Sequence, residues 1–237
     1  MTEDIKKLYE WIKDSDNIVF FGGAGVSTES GIPDFRSDTG LYSEVPEVMI
    51  SRSYYERNAA KFYKFYKERM IYPDAKPNAA HLKLAELEKS GKLRAVITQN
   101  IDGLHQAAGS VNVLELHGSI HRNYCRKCKK ACDLDYVIGN GDPVPYCKCG
   151  GLIKPDVVLY EEALDMSVYY DALRYIEAAD LFIVGGTSLA VQPAANLVMS
   201  YRGTRLALIN MAVTYYDEYA DLVVKGKIGE VLGGYMM

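Results

Sequence analysis

Apolar residues along this chain fall into two kinds of run. Ile5, Leu8, Tyr9 and Ile12 recur at helical spacing and predict an amphipathic helix over residues 3–14. The second kind is short and nearly unbroken, at 17–21, 93–98, 111–116, 181–184, 205–209 and 222–224. Apolar runs of that length, closed by turn residues, read as strands buried on both faces. Helical patterns separate most of them. One begins after the breaks at Pro73 and Pro77, is capped by Asn78 and reaches Lys89. Such alternation is the signature of an open parallel sheet with helices on both faces, an α/β fold.

Two stretches interrupt the alternation. Residues 47–72 are rich in Tyr, Phe, Lys and Arg. There Phe62, Tyr63, Phe65, Tyr66 and Met70 fit one face of helices, and plain packing explains most of them better than a ligand role. Residues 121–154 carry few large apolar side chains and a cluster of cysteines.

Polar residues are placed unevenly, just after the apolar runs and not before them: Gly23 and Gly25, Gln99 to Asp102, His117, Thr187 and Ser188, and Asn210. Ligands of open α/β sheets bind beyond the carboxyl ends of the strands. These stretches are therefore expected to line one crevice of nucleotide size. The richest is 22–36. Its glycines let the backbone turn tightly and approach a phosphate. Ser27, Thr28 and Ser30 add hydroxyls, and Asp34, Phe35 and Arg36 set an acid, a ring and a cation side by side. Thr28 stands where a strict dinucleotide fingerprint has its third glycine, so the glycines alone suit an ordinary strand-to-helix connection equally well.

Composition narrows the field. Of 237 residues, 49% are hydrophobic and 24% charged, as expected of one large globular domain with a smaller insertion. A net charge of −4 disfavours a nucleic-acid binder, and no apolar run nears the roughly 20 residues of a membrane span. The first residues lack the basic start and apolar core of a signal peptide, so a cytoplasmic location is expected; nothing demands a partner chain, and a monomer fits. In a reducing compartment, clustered cysteines suggest metal. Cys125 and Cys128 are two residues apart; after a gap of eighteen come Cys147 and Cys149, separated by one residue, with Gly150 and Gly151 to permit the tight turn. Four thiolates in two pairs suit one tetrahedral Zn2+. Cys132 is left over, as a substitute ligand or a small buried residue. A four-cysteine site has no open position for water, so this zinc is structural, contributing on the order of 10 kcal/mol to folding its module.

In their order, the motifs resemble those of the sirtuins, the NAD-dependent protein lysine deacylases. The resemblance covers nearly the whole chain. It rests on Gly23-Ala24-Gly25-Val26-Ser27, Ser30-Gly31-Ile32-Pro33-Asp34-Phe35-Arg36, Thr98-Gln99-Asn100-Ile101-Asp102, Leu116-His117-Gly118, the paired cysteines, Gly186-Thr187-Ser188-Leu189 and Asn210. Lys76-Pro77-Asn78-Ala79-Ala80-His81 further resembles the bacterial, undifferentiated class. The resemblance implies a Rossmann-like large domain from 1–38, 78–120 and 155–237. A small domain from 39–77 and 121–154 would hold a helical cofactor-loop segment and the inserted zinc module.

It also implies that NAD is consumed as co-substrate. Nicotinamide leaves, the acyl oxygen of a modified lysine attacks C1′, and the products are free lysine, nicotinamide and O-acyl-ADP-ribose. By the same resemblance Ala24, Gly25, Thr28 and Arg36 contact the pyrophosphate side, and Gln99 holds the ribose. Phe35, Ile101 and Asp102 shape the nicotinamide pocket, and Thr187, Ser188, Asn210 and Ile228 serve the adenosine end. Asn100 and Asp102 orient the leaving carboxamide and stabilise positive charge on the ribose, while Phe35 shields C1′ from water. His117 is the candidate general base. His81, His105 and His121 have no equivalent support.

The peptide is expected between 155–160 and 189–192, held by main-chain pairing, with Val158, Leu159 and Val191 as substrate contacts. Where the family reads Phe-Gly-Glu, this chain has Tyr160-Glu161-Glu162, a change expected to tighten the loop and favour basic peptides. Relatives that remove succinyl groups carry Tyr-x-x-Arg; here the positions read Tyr63-Lys64-Phe65-Tyr66, so acetyl is the expected acyl group, with Arg69 nearby as a confounder. Other short acyl groups remain an alternative. So do mono-ADP-ribosyl transfer or NAD hydrolysis at the same site, an NAD-dependent oxidoreductase, and a zinc-ribbon binding module.

Overall fold

The computed structural model describes residues 1–141 and 143–236. Nine strands are present among them: β1 Ile18–Gly22, β2 Leu93–Thr98, β3 Val113–Glu115, β4 Gly118–Cys125, β5 Ala131–Cys132, β6 Ile153–Val157, β7 Leu181–Gly185, β8 Leu206–Asn210 and β9 Leu222–Lys225. The α-helices are α1 Glu3–Asp14, α2 Leu41–Glu44, α3 Arg52–Arg57, α4 Ala59–Arg69, α5 Ala79–Lys89, α6 Leu104–Ala107, α7 Leu134–Gly139, α8 Met166–Ala178 and α9 Ile228–Gly233.

Six strands form one sheet in the order β3-β2-β1-β7-β8-β9. Every pairing in it is parallel. Alternate side chains of each strand feed opposite layers, as the pleat requires. Ile18 and Phe20 of β1 pack with Leu8 and Ile12 of α1, Leu84 and Leu87 of α5, and Val231 and Leu232 of α9. Val19 and Phe21 pack on the other face with Ala172 and Ile176 of α8 and the 3-10 turn at Ala194–Ser200. Burial on both faces explains the unbroken apolar runs. Asn78 caps α5 as its position suggests, accepting from the Ala80 N–H, while the Asn78 N–H donates to His81 Nδ1.

Three features differ from a plain reading of the sequence. The third strand is shorter, because the Val111 and Asn112 N–H groups donate to the Glu88 carboxylate at 2.8 and 2.7 Å instead of joining a ladder. No α-helix follows the glycine loop; 3-10 turns at Ala24–Val26 and Thr28–Ser30 do. Residues 118–157 add an antiparallel sheet in the order β5-β4-β6, whose short, bulged strands left no run of apolar residues to read. Tyr55, Phe62, Tyr63 and Tyr66 of α3 and α4 pack against that sheet, with Ile120, Val137 and Ile153 in the same cluster. Tyr55 and Tyr63 both donate their hydroxyls to the Ile153 carbonyl.

Candidate active site and metal centre

The sheet order reverses between β1 and β7, and the carboxyl ends of these neighbours carry the glycines that open the site. The Gly25 N–H donates to the Gly186 carbonyl at 2.7 Å. A side chain on Gly25 would come within 2.8 Å of the Gly186 backbone, and Gly186 itself has a φ of +60°. Two bare backbones in contact leave their outer edge to the cavity, a close-approach geometry that only glycine permits.

Beyond these strand ends lies a cavity of about 530 Å³. Each residue singled out above for cofactor, peptide or catalysis lines it, from Ala24 and Gly25 through Asn100 and His117 to Asn210 and Ile228, with Val158, Leu159 and Val191 at the peptide side. Asn210 at the end of β8 accepts from the Thr187 N–H at 3.1 Å, while its buried Nδ2 has no partner among the described residues. A buried amide donor left unpaired at a cavity wall suits a ligand acceptor. Gln99 reaches across to Thr187 Oγ1 at 3.0 Å.

Ser27 was not marked as a site residue by sequence, yet it organises the floor. Its hydroxyl donates to Asp102 Oδ2 at 2.7 Å and accepts from Asn100 Nδ2 at 3.0 Å, so the two polar side chains that follow β2 are tied to the glycine loop. The other Asp102 oxygen accepts the Leu104 N–H. Asn78, expected as a helix cap and part of the Lys76–His81 motif, also holds that loop by donating to the Val26 carbonyl and Ser30 Oγ. Ser27 is 1% exposed, buried where a loop hydroxyl is ordinarily solvated.

His117 follows β3, and its Nδ1 lies 3.1 Å from the Gln99 carbonyl. A carbonyl only accepts, so Nδ1 carries the proton and Nε2 keeps its lone pair. Nε2 has no hydrogen-bond partner among the described residues. Burial, opposed by the Gln99 bond, lowers the imidazole pKa below 6.5, keeping the ring neutral near pH 7. His81 and His105 are buried ring against ring, 4.7 Å between centroids, away from the cavity wall. The exposed His121 donates to the Asp102 carbonyl.

On the peptide side, Glu161 and Glu162 are occupied. Glu161 accepts from the Ser53 N–H and hydroxyl, and Glu162 pairs with Lys154 Nζ at 3.0 Å and accepts the Leu159 N–H. The Glu162 charge is paired with Lys154, whereas the exposed Glu161, bonded among the described residues only to the neutral Ser53, keeps its charge beside the peptide side. Tyr63 and Tyr66 lie in the aromatic cluster, and Arg69, Met70 and Tyr72 reach the cavity instead; Arg69 is paired with Glu44.

The Sγ atoms of Cys125, Cys128, Cys147 and Cys149 all lie within 4.8 Å of one another, with Cys125–Cys149 at 3.5 Å and Cys128–Cys147 at 3.7 Å. Zinc–sulfur bonds of about 2.3 Å set sulfurs about 3.8 Å apart at tetrahedral corners, so the cluster fits zinc despite the one-residue gap. Cys132 lies on β5 outside it.

A sequence model of the Sir2 family matches residues 23–193. Among similar proteins, an NAD-dependent protein deacetylase of Clostridium tetani is 59% identical over 236 residues, covering 97% of this chain and 96% of its own. One of Sulfolobus acidocaldarius is 44% identical, covering 96% and 92%. A solved structure described as "Sir2 bound to acetylated peptide" superposes with a TM-score of 0.87 at 37% identity, covering 98% of this chain and 96% of that one. Likeness of sequence and of fold, each over almost the full length, places the chain in the Sir2 family, the sirtuins.

Proposed function

We propose that this chain is a cytoplasmic NAD-dependent protein lysine deacetylase. It moves the acetyl group of acetyl-lysine, in proteins or peptides, onto ADP-ribose and releases nicotinamide and O-acetyl-ADP-ribose. The observation that carries this reading is the His117 imidazole, its Nδ1 committed to Gln99, on the wall of a cavity whose other walls are the glycine loop and Val158 and Leu159.

Bound NAD supplies a ribose carbon from which nicotinamide can leave. The chain's own residues do the rest. Ala24, Gly25, Thr28 and Arg36 hold the pyrophosphate side, and Thr187, Ser188, Asn210 and Ile228 the adenosine end. Gln99 orients the ribose; Phe35, Ile101 and Asp102 enclose the nicotinamide. Asn100 and Asp102, braced through Ser27, present fixed dipole and charge to the electron-poor ribose. His117 Nε2 takes the proton of a ribose hydroxyl. Val158, Leu159 and Val191 form the acyl-lysine wall. Acetyl is favoured because Tyr66 stands where succinyl-removing relatives carry arginine and is buried in the aromatic cluster with Tyr63. Cys125, Cys128, Cys147 and Cys149 hold one structural Zn2+.

We further read a large unit built on the parallel sheet and a small unit built on the cysteine-bearing sheet and α2 to α4, meeting within β4 and β6. A monomer suffices, since one chain supplies every wall of the cavity. Incubation with an acetyl-lysine peptide and NAD tests the reading: free lysine and nicotinamide are expected one to one. Nicotinamide release without deacetylated peptide would instead mean NAD hydrolysis or ADP-ribosyl transfer.

A further inference from the structure

The departure at Tyr160-Glu161-Glu162 acquires a purpose in three dimensions. Residues 34–42 form a self-braced loop over the cavity. The Leu41 N–H donates to the Asp34 carbonyl at 2.8 Å and the Tyr42 N–H to the Phe35 carbonyl at 2.9 Å, and a side chain on Gly40 would strike Asp34 and the Phe35–Arg36 backbone. Such a loop moves as one piece.

Among the described residues, its polar contact with the peptide side is a single oxygen. The Tyr160 hydroxyl accepts from Arg36 at 3.0 Å and from Tyr42 at 3.1 Å, both on that loop. Burial first, then this bond, pushes the Tyr42 phenol above its ordinary 10.0. Glu47 completes the group with an ion pair to Arg36 at 3.0 Å.

Tyr160 is itself held firmly. Its N–H donates to the Ile50 carbonyl and its carbonyl accepts the Arg52 N–H. Next to it Glu161, at a φ of +73° where glycine is usual, is fixed by both its bonds to Ser53. Two residues earlier the Val158 N–H donates to the His117 carbonyl at 2.9 Å. A short run of bonded backbone thus connects the candidate base to the cofactor loop.

We propose that Tyr160 is a positioning residue that latches the 34–42 loop to the peptide-side segment, so that filling one half of the cavity strengthens binding in the other. A phenylalanine keeps the ring and loses the latch. Like the expected coupling of ligands, this rests on the deacetylase reading, but the latch itself is testable without any ligand.

The experiment compares the unliganded protein with Tyr160→Phe by hydrogen exchange. Amides of 34–42 should exchange on the order of tenfold faster in the variant, as loss of a charge-assisted hydrogen bond implies, with strands of the parallel sheet unchanged. Tyr42→Phe combined with Tyr160→Phe should add no acceleration beyond Tyr160→Phe alone, because the bond Tyr42 loses is one of the two that Tyr160→Phe already removes. Calorimetry then measures acetyl-lysine peptide binding with and without ADP-ribose. The factor by which ADP-ribose tightens the peptide should shrink several-fold in Tyr160→Phe. Unchanged exchange over 34–42, or equal acceleration everywhere, overturns the latch. An unchanged coupling factor overturns its role in binding. Failure of the unaltered protein to bind the peptide at all counts against the deacetylase reading, while exchange still decides the latch.

Discussion

His117 faces the cavity with one nitrogen occupied, so its chemistry is confined to the other. Replacing it with alanine should lower deacetylation by about 10²–10⁴-fold while ADP-ribose binding persists, checked by turnover and calorimetry on the same preparation. Because burial lowers its pKa, the neutral ring is present at and above pH 6.5, and the acid limb of activity should lie below 6.5. A pH profile of kcat/KM in the unaltered protein reads this directly. Asn210 offers a second case. Its Nδ2 is unpaired among the described residues while its Oδ1 accepts the Thr187 N–H, so Asn210→Ala should cost about 1 kcal/mol of stability through the lost Thr187 bond and weaken ADP-ribose about three- to tenfold, the worth of one further hydrogen bond.

At the scale of elements, the four-cysteine hairpins depend on metal. Chelation, or Cys149→Ser, should release zinc and expose β5 and the turns at 126–130 and 147–151 to exchange, while the parallel sheet stays protected; zinc content by mass spectrometry and exchange of the two sheets are the checks. Cys132→Ser should keep the zinc. Elements buried on both faces were legible in the sequence because unbroken apolar runs have few other meanings: β2 and β7 fell within a residue of their expected bounds. The ends of those strands then located the cavity, and the family motifs supplied the roles. β4 to β6 were not legible, since a sheet stabilised by thiols and one aromatic cluster needs no hydrophobic run. Ser27 was overlooked for a related reason: a serine that braces a carboxylate looks, in a sequence, like any loop hydroxyl.

The whole molecule carries a cost at low pH. Burial pushes His105 down to about 3, and His81 down to about 4 although Asp102 opposes it. Between these values and 6.5 the unfolded chain binds protons that the folded chain refuses. Stability is therefore complete above pH 6.5 and falls as pH drops toward 4, by about 1.4 kcal/mol per pH unit for each histidine. Denaturant midpoints measured from pH 7.5 to 4.5 should show that slope, and His105→Gln should reduce it by about one proton.

The carbonyl of Ile153 receives two tyrosine hydroxyls, one from α3 and one from α4. Those helices come from a chain segment that precedes β2, whereas Ile153 lies just after the last cysteine hairpin. The seam therefore fixes an order of assembly. α3 and α4 lack much of their packing surface until β6 is set, and β6 follows directly on the metal site. Refolding without zinc should recover the parallel sheet early and halt there, with the cluster of Tyr55, Phe62, Tyr63 and Tyr66 unformed, and late addition of the metal should complete it in a separate kinetic phase.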